Sequence, residues 1–137
     1  MAKKIKGDGQ TKKYGNKKVE KDGVTFGSIK EVKRYGELKF LEQAGEIAKL
    51  KMQVSFELIP AQHKYYERYS EKTGKRIKDG KILLERGCKY VADFVYLDKA
   101  GNLHVEDTKS TPTRKKESYI IKRKLMLYIH GIRIEEI

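Results

Sequence analysis

The spacing of apolar and polar residues changes several times along the chain, and each change marks an element. Leu50, Met52, Val54, Phe56 and Leu58 are apolar, and the residues between them, among them Gln53, Ser55 and Glu57, are polar. A period of two predicts a strand with one dry face, which Pro60 ends. Ahead of it, Ile29 to Ala44 is a run of helix formers stopped by Gly45, and Ser28 with Glu31 makes an S-x-x-E cap, so a helix is predicted there. Runs from about Tyr90 to Leu97 and from Leu103 to Lys109 read as strands around the loop Asp98 to Asn102, where Gly101 suits a left-handed turn position. Farther on, Ile120, Ile121, Leu125 and Ile129 recur at helical spacing between Lys116 and His130. Gly131 closes that helix, and Arg133 to Ile137 has the pattern of a last short strand.

Two stretches have a different texture. From His63 to Arg86 the chain is rich in Tyr and Lys, with Thr73-Gly74 and Asp79-Gly80 as turn signals, which predicts an exposed hairpin. From Met1 to about Gly23 it is rich in Lys and Gly with little to bury, and residues 1–23 are expected to form a flexible basic arm before one domain, 24–137. Helix, strand, hairpin insertion, strand, strand, helix, strand is an α/β order, with a mixed central sheet flanked by helices.

The hairpin register brings out the chemistry. With Asp98 opposite Asn102, Leu97 faces Leu103, Val95 faces Val105, and Asp93 faces Asp107, all on one side of the sheet. An apolar strip therefore ends in two opposed carboxylates, and like charges directly opposite destabilise a sheet. At least one acid must take up a proton unless a cation lies between them. Hard oxygen ligands favour Mg²⁺, with Mn²⁺ as a substitute. Lys109, two residues beyond Asp107, shares its face and is placed to orient an attacking water or to stabilise charge on a phosphate. The plainer reading of Asp107 and Lys109 is a surface ion pair. Glu31 also has two readings, as a capping-box acid or as a further member of the site, because Glu31, Tyr35 and Leu38 form an i, i+4, i+7 stripe. Glu106 should point to the opposite side and falls outside the site.

Charge narrows the class of partner. Thirty-two Lys and Arg against 19 Asp and Glu give a formal net charge of +13, which predicts an acidic partner, nucleic acid first. The single Cys88 allows no internal disulfide and no paired-cysteine zinc site. His63, His104 and His130 lack metal-ligand spacing. No apolar run reaches the ~20 residues of a membrane span, and no signal peptide is evident, so a cytoplasmic location is expected.

The helix bearing Glu31, the segment VADFVY with Asp93 and the segment VEDTKS with Asp107 and Lys109 together resemble the PD-(D/E)XK nuclease superfamily. Within it, the likeness is to short phage-encoded proteins related to Holliday-junction resolvases, and it covers Val24 to Ile137. Ala92 stands where the motif name places Pro. The resemblance implies a restriction-endonuclease-like core (αβββαβ) and a Mg²⁺-dependent endodeoxyribonuclease, in the host bacterial cytoplasm if phage-encoded. It implies metal ligation by Asp93, Asp107, the Thr108 backbone carbonyl and Glu31, directly or through water, with Lys109 in the lysine role. The second helix of such folds lines the cleft, which makes Lys122 the first candidate for substrate phosphate, with Lys115, Lys116 and Arg123 nearby; a solvated helix face is the alternative. The insertion, with Arg68, Arg76 and Tyr65, Tyr66 and Tyr69, offers stacking and phosphate contacts or else a plain exposed or dimer-forming hairpin. The expected activity is hydrolysis of DNA phosphodiesters, branched or junction DNA foremost, by a homodimer. The rivals are a non-catalytic nucleic-acid-binding module and an assembly factor for phage DNA processing.

Overall fold

A computed structural model describes residues 18–137. Residues 1–17, most of the expected basic arm, lie outside the described part. The last residues of that arm are built into the fold. Strands β1 (Val19–Lys21) and β2 (Val24–Phe26) form a hairpin around Asp22 and Gly23, both at positive φ. Two left-handed residues make the tight turn that matches strand twist, and Asp-Gly is its usual sequence. That signal was present at Asp22-Gly23, and it moves the start of regular structure from Val24 back to Val19.

Helix α1 (Ile29–Gln43) starts where the cap predicts, with the Ser28 hydroxyl accepting from the Glu31 N–H at 3.2 Å. Its buried residues are Glu31, Tyr35 and Leu38, the stripe seen in the sequence. Strand β3 (Ile47–Ile59) follows, then β4 (Gln62–Tyr69) and β5 (Arg76–Glu85), which pair with each other as a separate two-stranded arm. Strand β6 (Cys88–Asp98) and β7 (Leu103–Asp107) make the expected hairpin, with Phe94↔Glu106, Val95↔Val105 and Leu97↔Leu103 in register. Its loop closes as predicted: Asp98 N–H donates to Asn102 O, and Gly101 sits at φ +83°.

A short helix, α2 (Thr111–Arg114), which the apolar pattern does not reveal, begins at the Pro112 turn and precedes α3 (Glu117–His130). The last strand, β8, is shorter than expected, Glu135–Glu136, and pairs with β7 in parallel. The main sheet has the order β3-β6-β7-β8, antiparallel except for that edge pair. The protein is thus mixed α/β, with one mixed central sheet. No helix is long and apolar enough to cross a membrane among the described residues.

Both faces of the sheet are dry. On one, Phe26, Tyr35, Leu38, Ile47, Phe94 and Tyr96 pack with α1. On the other, Val95, Val105, Tyr90 and Leu58 pack with Tyr119 and Met126 of α3. The expected single dry face of β3 is therefore corrected. Leu50 and Met52 join the α1 side, whereas Val54, Phe56 and Leu58 join the α3 side. The division falls at Gln53, whose φ of +52° coils the strand sharply between the two halves. The strip beside Asp93 is also less uniform than expected, since Leu103 is largely exposed.

One polar network pins the far end of the β6–β7 hairpin. His104 lies between Asp98 (2.8 Å) and Glu135 (3.0 Å), stacked on Tyr96 at 5.2 Å between centroids. The Asp98 carboxylate and then Glu135 raise the imidazole above its usual range, and the same contact holds Asp98 at about 2. Stability from His104 is full below about 6.5 and fades as pH rises through its elevated folded value; that from Asp98 is present above about 4 and fades toward about 2. Denaturant titrations should therefore show wild-type stability falling as pH rises above about 6.5 relative to His104→Gln. Parallel pH curves for the two chains would refute the coupling.

Candidate active site

The geometry around Asp93 follows from the two strands that carry the acids. The β6–β7 ladder ends at Phe94↔Glu106, and Asp93 and Asp107 occupy the next position of the same register. Their neighbours fix their environments. Asp107 is completely buried and takes a 2.6 Å hydrogen bond from the Tyr90 hydroxyl on Oδ2. Its Oδ1 accepts no well-formed hydrogen bond, although Lys109 Nζ stands 3.3 Å away. Burial pushes this carboxyl up to about 7, adjacent Asp93 adds to the rise, and Tyr90 and Lys109 oppose it. The pair resolves its repulsion as electrostatics requires, by holding a proton near neutral pH. Burial and the Asp107 carboxylate in turn push the Tyr90 hydroxyl well above its ordinary range.

Asp93 is half-buried and better satisfied. Its Oδ2 accepts from both the Thr108 N–H (2.9 Å) and the Thr108 hydroxyl (2.7 Å). Oδ1 accepts from Gln53 Nε2 at 3.2 Å, and the same amide donates to Glu31 Oε1 at 3.1 Å. Gln53 thus ties the helix acid to the strand acid, and its left-handed backbone turns it there. Strained conformations of this kind cluster at functional sites. Glu31 closes the start of α1 and also faces Asp93. Its amide is capped by Ser28, its Oε2 accepts from the Gly27 N–H at 3.2 Å, and its carboxylate reaches Asp93 through Gln53. Burial, then Asp93, raises its pKa.

These groups border an open cleft of about 310 Å³ lined by Glu31, Asp93, Thr108 and Lys109, with Lys30 and Thr113 at its edge. Asp107 is not part of the lining. Lys109 also stands 5.7 Å from the Tyr119 ring centroid, a cation–π contact on the side away from Glu31 and Asp93, in the neighbouring hollow. Glu106, next in sequence to Asp107, takes a different path. It is buried on the α1 side, held by Arg34 Nε (2.6 Å) and Nη2 (2.8 Å) and by the Tyr96 hydroxyl, so its carboxylate is committed to structure.

The remaining basic candidates divide. Lys116 and Lys122 line a second hollow beside the cleft. Arg123 does not; it pairs with Glu136 at 3.2 Å, as Arg114 does. Lys115, the C-cap of α2, lines neither cavity, nor do Arg68 and Arg76 on the arm, where Arg76 is paired with Asp79. Gln53, Thr108 as a donor to Asp93, and Tyr90 were not singled out by the sequence. Nothing local marks them, since each acts across strands.

Residues 11–133 match the family described as protein of unknown function (DUF1064). The chain belongs to this family. Neither the curated proteins nor the solved structures give a match. The DUF1064 region takes in both acid-bearing strands, α1 and α3, so the whole cleft is family territory and none of it is an appendage.

Among the described residues no three His, Cys, Asp or Glu side chains stand ready-made as a metal cage. The donor set nonetheless suits a hard ion. Mg²⁺ takes one or two carboxylates and keeps most of its waters. Asp93, which lines the cleft, and the buried Oδ1 of Asp107, 3.3 Å from Lys109 Nζ, are the carboxylates that could hold such an ion.

Proposed function

We propose that this chain is a metal-dependent DNA nuclease with a PD-(D/E)XK-type site on a restriction-endonuclease-like core. The observation that carries this reading is the unfilled, buried Oδ1 of Asp107, with Lys109 Nζ 3.3 Å away and Asp93 at the matching position of the neighbouring strand. With the β1–β2 hairpin, the β4–β5 arm and the four-residue α2 set aside, the run α1, β3, β6, β7, α3, β8 has the αβββαβ order of such cores. The +13 charge suits a polyanionic substrate.

In this reading Asp93 and Asp107 would hold the Mg²⁺ or Mn²⁺, with the Thr108 carbonyl and Glu31, directly or through water, as further partners, and the ion would supply a lowered water pKa and neutralise phosphate charge. Lys109 orients the attacking water and offers its charge to the phosphate oxygens. The water oxygen bonds to phosphorus as the phosphorus–O3′ bond breaks; the departing oxygen takes a proton and a 5′-phosphate remains. Gln53 and Thr108 keep Asp93 from turning away, and Tyr90 does the same for Asp107.

Branched DNA is the leading substrate and a two-fold homodimer the leading assembly, because a symmetric junction offers two equivalent cuts. The test is incubation with four-way junction, flap, single-stranded and linear duplex DNA in Mg²⁺, Mn²⁺ or EDTA. Metal-dependent cleavage, strongest on the junction, is expected. A second reading, a non-catalytic nucleic-acid-binding module, draws on the +13 charge, which suits a polyanion with or without catalysis. Tight binding with no cleavage of any substrate in either metal would establish that module in place of the enzyme.

A further inference from the structure

A hollow of about 290 Å³ adjoins the cleft and shares Lys109 and Thr113 with it. Its wall carries four lysines, Lys89 at the start of β6, Lys109, and Lys116 and Lys122 at the start of α3, together with Ser118. None of its lining residues is acidic. This sets it apart from the other cation clusters of the fold. Arg34 is neutralised by Glu106, Arg114 and Arg123 by Glu136, Arg76 by Asp79 and Lys99 by Glu46. Lys89 and Lys122 have no ion-pair partner among the described residues. Of the four, Lys109 is paired with Asp107 at 3.3 Å; the ammonium groups of Lys89 and Lys122 face the same hollow and repel each other, a cost that an anion seated between them removes.

We infer that this hollow is a second phosphate subsite, which holds a non-scissile phosphate of the strand whose scissile phosphate lies in the cleft. The inference rests on the nucleic-acid reading above and adds to it the path of the strand: from the Glu31–Asp93 cleft, past Lys109, into the Lys89–Lys122 hollow. Two anion positions joined by a shared lysine suit a polymer with regularly repeated charges better than a lone anion. Lysines rather than arginines line it, and a lysine acts on phosphate as a point charge without the fork geometry that reads a base edge. The subsite therefore sets register along the backbone and is indifferent to sequence.

The experiment reads binding in EDTA, so that it does not depend on cleavage. Four-way junctions carrying one uncharged methylphosphonate linkage at successive positions are titrated with wild type, with Lys89→Ala/Lys122→Ala and with the milder Lys89→Gln/Lys122→Gln. Wild type should lose affinity when the neutral linkage falls at either of two separate places on one strand. In both double variants one of those places should become silent while the other persists. Their overall affinity should fall about five- to tenfold at moderate salt, and the slope of log K against log salt should shrink by about 0.9, the amount for one phosphate no longer neutralised. Unchanged thermal melting would show that these solvent-facing changes spare the fold. Both places keeping their effect in the variants would overturn the subsite, as would a loss of affinity equal for every linkage position. So would failure of wild type to bind DNA, or a preference for an acidic polypeptide such as polyglutamate. Loss of the one place in a chain that cleaves nothing in Mg²⁺ or Mn²⁺ would uphold the subsite and reject only the catalysis. Cleavage without that loss would do the reverse.

Discussion

Asp107→Asn should yield a chain that is more stable without metal and at least about a hundredfold less active, the scale on which a single charge-stabilising group contributes to such reactions. A carboxyl at about 7 in the folded chain and near 4 in the unfolded one lends stability that is fully present below about 4 and gone once the pH exceeds about 7. At pH 8 the ionised side chain therefore costs on the order of 2–4 kcal/mol, at 1.36 kcal/mol per pKa unit. Asparagine keeps the shape, still accepts from the Tyr90 hydroxyl, and replaces a charge beside Asp93 with a donor. Urea denaturation in EDTA should show the variant gaining little at pH 5 and its full amount at pH 8. Adding Mn²⁺ should raise the melting temperature of wild type and leave the variant unmoved. A variant no more stable than wild type at pH 8, or one that still cuts, would remove the basis for assigning Asp107 to a metal.

Arg34→Met should have the largest effect on folding, a loss of about 3–5 kcal/mol, because it leaves the Glu106 carboxylate buried without its cation. The methionine preserves the apolar stem and the helical preference of α1, so the loss reports charge rather than packing. Glu106→Gln in the same chain should restore much of it, since the amide needs no counter-ion and still accepts from Tyr96. Equilibrium unfolding of the single and double variants measures this directly. Additive losses would show that the two residues do not act as a pair. Asp107 contrasts with it: the two adjacent acids sit on opposite faces, Glu106 held by Arg34 and Tyr96, and Asp107 by Tyr90 on one oxygen with Lys109 3.3 Å from the other.

Much of this contrast could be read in advance. Alternation along a strand assigns Glu106 and Asp107 to opposite sides, and the turn chemistry of Asp98, Gly101 and Asn102 fixes the register that aligns Asp93 with Asp107. The α1 stripe was equally plain, since three residues at helical spacing need only local geometry. What escaped was nonlocal or irregular. Arg34 meets Glu106 across 72 positions, and nothing near either residue marks the other. Gln53 occupies a polar slot of an alternating strand, which reads as solvent-facing, and only its left-handed backbone brings the amide between two acids. The β1–β2 hairpin was missed for another reason. Its strands have three residues each within a lysine-rich stretch, too short for an alternating pattern to show.

The β4–β5 arm carries a consequence of its own. Ile59 and Cys88, the residues that flank it, are partners in the main sheet. The polypeptide thus leaves the domain and returns to it at a single point, and the pairing below that point does not need what lies beyond. Such a graft is free to change length and surface while Asp93 and Asp107 keep their places on the strands beyond it.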